Sequence, residues 1–576
     1  MKILGIGCSS FHDPSAALLI DGKVVAAAEE ERFSRNKHAL GENPVQAARW
    51  CLEWAGLEPQ DIDLVAYPWS AEILREKRWE YAKRAFPKSP AKAIRSFTKL
   101  VKLQKKRVGA LHDTLRGAGF DPDRVPVRFV EHHLAHASSA FHLSGFPSAA
   151  VLTLDGEGEV TTSLFCEGLQ DGRLVKLKEI LKPDSLGLFY ATMTEYLGFD
   201  AMDGEYKVMG MAPYGDPQKI DLRGMVKLTD DGYRCDDDRV WVARKQRWNG
   251  KHFSRRMVEE LGPPRDGDHL LEPYVHVAAA TQKLLEDVVL GLVERWLKEP
   301  LQRHGGRLAY AGGVALNVRL NRLLVQHPLV KELWVQPASS DAGIALGAAT
   351  YAAVERGEKI APMETAALGP SFSTAQCRET LDKYKIPYTV LEDAPRAAAE
   401  LLARGEVVAW FQGRMEWGPR ALGQRSILGH PGRPGTADDI NERIKYREQW
   451  RPFCPSVLKE WGPQLFESDH DSPYMTLTFG VRPDWRDRVR EIVHVDGSAR
   501  PQYVTEGRAP RFHALLQHFL RLTGLPCVIN TSLNRRGEPM LHTPEDALKM
   551  FYGSGLEFLV IEDLLVTKRH EPPFPV

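Results

Sequence analysis

Lys2-Ile-Leu-Gly-Ile-Gly7 opens a pattern that this chain uses twice. The short apolar strand runs into a loop of small and polar residues, Cys8 to Pro14. Ser15-Ala-Ala-Leu-Leu-Ile20 follows, Asp21-Gly22 makes a type I′ turn, and Lys23-Val-Val-Ala-Ala27 returns. The same order recurs further on. Ala149-Ala-Val-Leu-Thr-Leu154 leads into the loop Asp155-Gly-Glu-Gly-Glu159, then Thr161 to Glu167, Asp171-Gly172 and a return over Leu174 to Ile180. Two distant copies of strand, phosphate-sized loop and Asp-Gly hairpin predict a duplicated domain.

Duplication in this order is the mark of the actin-like (sugar-kinase) ATPase fold, an α/β architecture in which paired loops face a nucleotide. Glycine-rich loops suit phosphate because no Cβ keeps the oxygens away from the backbone N–H groups. A third such loop, Ala311-Gly-Gly-Val-Ala-Leu-Asn317, follows the strand Leu308 to Tyr310 and turns into a helix N-terminus. Gly156, Gly312, Gly313 and Asn317 are therefore the candidate nucleotide contacts. Any one of these loops reads equally well as a plain tight turn. Three in the required order favour the nucleotide. There is no GxxxxGK[ST], which argues against a P-loop enzyme.

Between the two copies stands Glu131-His-His-Leu-Ala-His136, after the β-branched run Val125 to Val130. Read as strand into helix, His132 and His136 lie at i and i+4 on one face, close enough to share a metal ion, while His133 points elsewhere. A carboxylate must complete such a site. Asp155 and Asp341 are the two candidates, and Asp341 reads equally well as a helix N-cap. Imidazole with carboxylate suits iron, zinc or manganese.

The chain has 576 residues, too many for one core, with 43% hydrophobic and 26% charged residues, an ordinary globular profile. Basic and acidic residues balance at 76 each, which favours neither nucleic acid nor an anionic membrane. Seven scattered cysteines without a CxxC pair point to a reducing compartment. No signal-peptide core or membrane span is readable, so a cytoplasmic protein is expected. The basic run Arg75 to Arg107, with interleaved aromatics, reads as a solvated helical insertion in preference to an RNA contact. A break at 356–372 divides an expected first domain, 1–355, from a second, 373–576. In the second, arginines stand beside Gly, Pro and Ser: Arg414, Arg420, Arg425, Arg447, Arg451, Arg500, Arg535 and Arg536. Fixed forks of that kind favour phosphate or carboxylate binding, although pairing with Glu416, Glu442, Glu448 and Glu538 must account for some of them.

With these blocks assembled, the chain resembles the O-carbamoyltransferases of antibiotic and nodulation-factor biosynthesis (the NodU/CmcH/TobZ type) from end to end. The resemblance is carried by HDPSAAL, EEERFSRNKH, EHHLAHASSAF, TLDGEGE, GEYKVMGMAPYG, YAGGVALN, SSDAGIALGAA, GRMEWGPRALGQRSIL, RPFCPSV, DGSARPQ and NTSLNRRGEP. It implies a YrdC-like α/β second domain that makes carbamoyladenylate from carbamoyl phosphate and ATP, with Mg accompanying the co-substrates. The first domain then delivers the carbamoyl group to a hydroxyl of a small-molecule natural product. By the same resemblance His132, His136, Asp155 and Asp341 ligate Fe(II), with Zn or Mn as alternatives. His12 is the general base, Lys37 a nucleotide contact, and Arg420, Lys445, Arg500 and Ser532 bind phosphate and carbamoyl groups. The implied partners are ATP, carbamoyl phosphate and the acceptor, without membrane or nucleic acid; a homodimer is compatible with it. Rival readings are a tRNA-modifying carbamoyl-type transferase, a small-molecule kinase of the actin-like fold, and a non-catalytic nucleotide-binding scaffold.

Overall fold

The computed structural model describes residues 1–7, 12–86, 90–267 and 269–569. The loop expected after the first strand lies partly, at residues 8–11, outside the described residues. The chain divides into two compact units, Met1–Glu30 with Leu40–Met363, and Glu31–Ala39 with Glu364–Val576.

The first unit is built on two sheets. In one, β1 (Lys2–Gly7), β2 (Ser15–Ile20), β3 (Lys23–Glu29), β4 (Leu64–Tyr67) and β5 (Val127–Phe129) take the order β3-β2-β1-β4-β5. The other contains β6 (Ala149–Leu154), β7 (Thr161–Gly168) and β8 (Leu174–Leu181). After a small separate hairpin, β9 (Val226–Thr229) and β10 (Gly232–Cys235), it is completed by β11 (Arg307–Ala311) and β12 (Glu332–Val335). Its order is β12-β11-β6-β7-β8. In each sheet the first three strands are antiparallel and the last two join in parallel. Identical order and sense in two sheets is the duplicated actin-like fold read from the sequence. The hairpins differ in detail. Asp21 (φ 47) and Gly22 (φ 73) both adopt the left-handed conformation of a type I′ turn, whereas in the second hairpin Gly172 (φ 85) does so and Asp171 does not.

The basic run forms a pair of helices, α1 (Ala71–Ala85) and α2 (Pro90–Gly117). It is not a solvated face throughout: Arg107 is buried with its guanidinium 3.4 Å from the Trp69 ring centroid. Next comes α3 (His132–Phe141), the helix that carries the histidines. Ala135 joins the core of the first sheet with Ile3, Leu19, Val130 and Ile344. Ala137, Ala140 and Phe141 join that of the second with Val151, Leu164 and Ala309. Small side chains let this one helix touch both cores, and each large apolar chain sealed there contributes roughly 1.5–3 kcal/mol. After α4 (Val318–Gln326), α5 (Ile344–Val354) lies directly against α3: a Cβ on Gly347 would meet the Ala135 carbonyl oxygen at 1.9 Å.

The second unit is a mixed α/β domain. Its sheet runs β13-β22-β21-β14-β15-β20-β16-β19, with strands β13 (Thr389–Val390), β14 (Val408–Phe411), β15 (Arg425–Gly429) and β16 (Cys454–Leu458). A separate short pair, β17 (Phe479–Gly480) and β18 (Ser498–Ala499), precedes β19 (Gln502–Val504), β20 (Cys527–Ser532), β21 (Phe558–Ile561) and β22 (Leu564–Thr567). Helices α6 (Ala394–Ala403) and α7 (Pro510–Thr523) pack against each other.

Glu31–Ala39 belongs to this unit, although the sequence reading included it in the first domain. Its side chains explain why. Arg32 donates to Gly418 O (2.9 Å), and Arg35 to Met540 O (2.6 Å) and Pro539 O (3.0 Å). The Phe33 ring meets His542 edge-on at 4.8 Å.

Candidate active site

The four residues singled out as metal ligands converge in the first unit. His132 and His136 sit one turn apart on α3, with their Nε2 atoms 3.2 Å apart. Asp341 Oδ1 lies 3.4 and 3.5 Å from those two nitrogens, and Asp155 Oδ2 lies 3.4 and 3.9 Å from them. All four side chains are buried, and one donor atom from each lies within 4.8 Å of every other. Asp341 is not the N-cap of the helix it introduces. Ser340 caps the turn, with its hydroxyl taking the Ala342 N–H, and the N-cap residue of α5 is Gly343, without a side-chain cap. The Asp341 carboxylate is thus left for the histidines.

A surrounding layer fixes each donor. Asp155 Oδ1 accepts the Gly313 N–H at 2.8 Å, leaving Oδ2 toward the imidazoles. Gly312 (φ 96) makes that approach feasible, since a Cβ there would meet Leu154 O at 2.2 Å. Ser185 Oγ ties Asp155 O and Gly156 O (3.2 and 2.7 Å). Asn317 caps α4 through Leu320 N (3.0 Å) and exchanges hydrogen bonds with Gln282, so its polar atoms already have protein partners. Glu159 was not singled out from the sequence, although it closes the TLDGEGE block. Fully buried, it accepts from Ser70 N (2.7 Å) and from His132 N (3.2 Å), anchoring the start of α3. His133 turns away to Thr153 Oγ1 at 2.7 Å, and burial, with His132 and His136 beside it, holds it well below the usual imidazole range.

The electrostatics suit a cation. Burial alone would raise the Asp155 and Asp341 pKa values, but the histidines overcome it and keep both carboxyls below the ordinary range. Burial also works against protonated His132, yet Asp341 and Asp155 raise it. Two buried anions facing two imidazole nitrogens call for positive charge between them. The five separations that involve a histidine nitrogen, 3.2 to 3.9 Å, lie around the edge of about 3.4 Å expected of a tetrahedron with metal–ligand bonds near 2.1 Å. Two imidazoles and two carboxylates therefore fit a divalent transition metal.

His12 sits on the loop after β1, part-exposed, with Nδ1 3.4 Å from Asp13 Oδ2. Burial pulls its pKa down, but the Asp13 hydrogen bond and the charges of Asp341 and Asp155 outweigh it and raise it to about 9. His12 thus lies within the field of two of the four clustered residues.

The second unit gathers the remaining residues at one end of its sheet. Lys445 ends a π-helical turn and is buried, donating to Ser532 O (2.7 Å), Asn534 O (2.7 Å) and Asn534 Oδ1 (2.6 Å). Burial drives its pKa well below the usual amine value, and Arg447, Arg451 and Lys37 push the same way. Lys37 is carried by the Glu31–Ala39 segment, which belongs to this unit. Arg500 leads into β19 and donates to Cys454 Sγ at the start of β16. Arg420 precedes Ala421 and Leu422, whose carbonyls accept from Asn530 Nδ2 (3.2 Å) and Gln502 Nε2 (2.8 Å). Its loop is held from inside by Glu416 Oε1, which takes the N–H groups of Leu422 (2.7 Å) and Gln424 (2.9 Å). Other arginines are structural. Arg425 is buried over Phe411 and bound to Gln412 O, Arg414 is tied to Gly369 O, and Arg536 pairs with Glu448. The cysteine and the Asn530–Ser456–Gln502 trio carry no charge pattern that sequence reading could have used, and Glu416, expected beside arginine side chains, takes backbone N–H groups instead.

Comparison with known proteins then assigns the class. Residues 2–350 match the Carbamoyltransferase N-terminus family and residues 399–568 the Carbamoyltransferase C-terminus family. The chain belongs to the carbamoyltransferase family and is a carbamoyltransferase enzyme. It is 36% identical to nodulation protein NolNO of Sinorhizobium fredii, covering 98% of this chain and 80% of that one. It is 30% identical to nodulation protein U of Rhizobium tropici, over 93% and 91% of the two chains. An uncharacterized protein of Synechocystis sp. is 37% identical over 99% of this chain and 97% of its own length. Among the described residues, no helix is long and apolar enough to cross a membrane.

Proposed function

We propose that this carbamoyltransferase is an ATP-dependent O-carbamoyltransferase acting on a small-molecule alcohol, with its two steps in different units. In the second unit, water cleaves carbamoyl phosphate to carbamate and phosphate. A carbamate oxygen then attacks the α-phosphorus of ATP, forming carbamoyladenylate and expelling pyrophosphate. In the first unit the acceptor oxygen attacks the carbamoyl carbon, AMP leaves, and the hydroxyl proton passes to His12.

The observation that carries this reading is the meeting at one end of the second unit's sheet of Arg500, held on Cys454 at the start of β16, and Lys445, held on Ser532 at the end of β20, beside the Arg420 loop tied to Asn530 and Gln502. Carbamate and ATP are both anions, so their encounter needs fixed positive charge to offset repulsion and hold the developing charge. Ser532, within 3.3 Å of Lys445 Nζ, adds a hydroxyl to that cluster. In the first unit His132, His136, Asp155 and Asp341 would hold Fe(II), or Zn or Mn. Such an ion would polarise the carbamoyl carbonyl and offset the carboxylate field that keeps His12 protonated. His12 then takes the acceptor proton as general base. Gly156, Gly312 and Gly313 stand in the loops beside these ligands, where the Gly313 N–H holds Asp155 Oδ1 and Gly312 allows the close approach to Leu154 O. The nodulation relatives favour a natural-product acceptor in a biosynthetic pathway.

The test is incubation of the full-length protein with Mg-ATP and carbamoyl phosphate. Pyrophosphate release and a carbamoyl-AMP adduct by mass spectrometry are expected. Release of ADP without dependence on carbamoyl phosphate would favour a kinase instead.

A further inference from the structure

Arg500 is held by an unusual partner. Its Nε and one Nη donate to Cys454 Sγ at 3.0 and 2.8 Å, so one sulfur receives a whole edge of the guanidinium. The sheet sets up this meeting. Cys454 pairs with Asn530 on β20, two residues before Ser532, and Ser456 pairs with Gln502 on β19, two residues after Arg500. Cys454 and Ser456 share a face of β16, and each serves its neighbour on the β19 side, Ser456 Oγ lying 2.6 Å from Gln502 Oε1. Cys454 is buried and Arg500 half-buried at this contact.

A guanidinium presents a rigid fork, and fixing one edge fixes the direction of the other. A carboxylate at position 454 would hold the same edge, but its negative charge would cancel much of the charge an anion needs. A thiol orients the fork without bringing a carboxylate's fixed charge. We propose that Cys454 is a positioning residue, aiming the free edge of Arg500 at the phosphate or carbamate group of the second unit's co-substrate. This rests on the adenylate-forming reading of that unit and names the group that sets its anion fork.

The experiment compares the full-length wild type with Cys454→Ser, Cys454→Ala and Cys454→Asp. Binding of carbamoyl phosphate, and of inorganic phosphate as a second probe, is measured by calorimetry. Pyrophosphate release is then followed at varied carbamoyl phosphate and varied ATP. Cys454→Ser keeps an acceptor and should stay within a few-fold of wild type. Cys454→Ala should weaken carbamoyl phosphate on the order of tenfold, the worth of one hydrogen bond to a charged group. That loss should fall on KM for carbamoyl phosphate, with kcat and KM for ATP little changed. Cys454→Asp should be weaker still. Equal affinities across the series, or an alanine variant that loses kcat and both KM values together, would overturn the proposal. Absence of pyrophosphate release from a wild type whose anion binding still follows Ser above Ala above Asp would instead sink the adenylation reading and leave Cys454's role standing.

Discussion

Glu159→Gln isolates what the layer behind the metal-type donors contributes. The substitution keeps the size of a side chain that is fully buried between Ser70 N and His132 N. It replaces a carboxylate by a neutral amide. Oε1 keeps both contacts, at 2.7 and 3.2 Å, as weaker neutral hydrogen bonds, each worth about 1 kcal/mol less than one to a charged acceptor. At Oε2, 3.3 Å from His132 N, an amide NH₂ would face another N–H. The lost charge at the N-terminus of α3 adds roughly 0.3–2 kcal/mol. The sum is a loss of about 2–4 kcal/mol, delivered at the first residue of the helix that places both histidines. Because His132 moves with that backbone, metal affinity should fall by about 10- to 100-fold, the range seen for outer partners of metal ligands. Zn(II) or Mn(II) titration of the full-length protein, paired with thermal unfolding, reads both effects. A variant with unchanged metal affinity and unchanged unfolding temperature would refute the claim that Glu159 sets the position of His132.

Glu416→Ala should release the loop 420–425 that carries Arg420, leaving the Leu422 and Gln424 N–H groups without their carboxylate. Pyrophosphate release should drop at least tenfold while metal binding is retained, a split read by running both assays on one preparation. His12 yields a pH prediction. Its folded pKa, raised from 6.5 to about 9, contributes stability fully present below pH 6.5 and lost as pH rises through 9. In protein stripped of metal by a chelator, the unfolding temperature of wild type should therefore exceed that of His12→Asn below pH 6.5. The gap should close above pH 9, and a pH-independent gap would contradict the assigned field of Asp13, Asp341 and Asp155.

Much of the first unit was legible because its signals are local. Apolar runs of strand length, the Asp21-Gly22 turn and an i, i+4 histidine pair each depend on neighbours in sequence, and the duplication repeats them. Asp155 and Asp341 were legible as candidates because Asp155 ends an apolar run, Asp341 follows Pro337-Ala-Ser-Ser340, and both precede small residues. Whether Asp341 capped a helix or faced the histidines was decided by Ser340, whose hydroxyl takes the capping role. The second unit was harder. Arginines that bind anions and arginines that brace loops share the same flanking Gly, Pro and Ser. Only the fold separates Arg425, sealed over Phe411, from Arg500, held at the sheet end by Cys454. The segment Glu31–Ala39 was least legible, since its allegiance rests on Arg32 and Arg35 reaching carbonyls hundreds of residues away. That reassignment also places Lys37, expected as a nucleotide contact, in the second unit.

The central claim is that activation and transfer belong to separate sites. It is tested most directly by quantifying carbamoyl-AMP and pyrophosphate in the His12→Ala protein supplied with Mg-ATP and carbamoyl phosphate, with Lys445→Ala alongside. The account predicts wild-type amounts of both products from His12→Ala, with transfer to an alcohol abolished, and neither product from Lys445→Ala. Loss of pyrophosphate release in His12→Ala would contradict it.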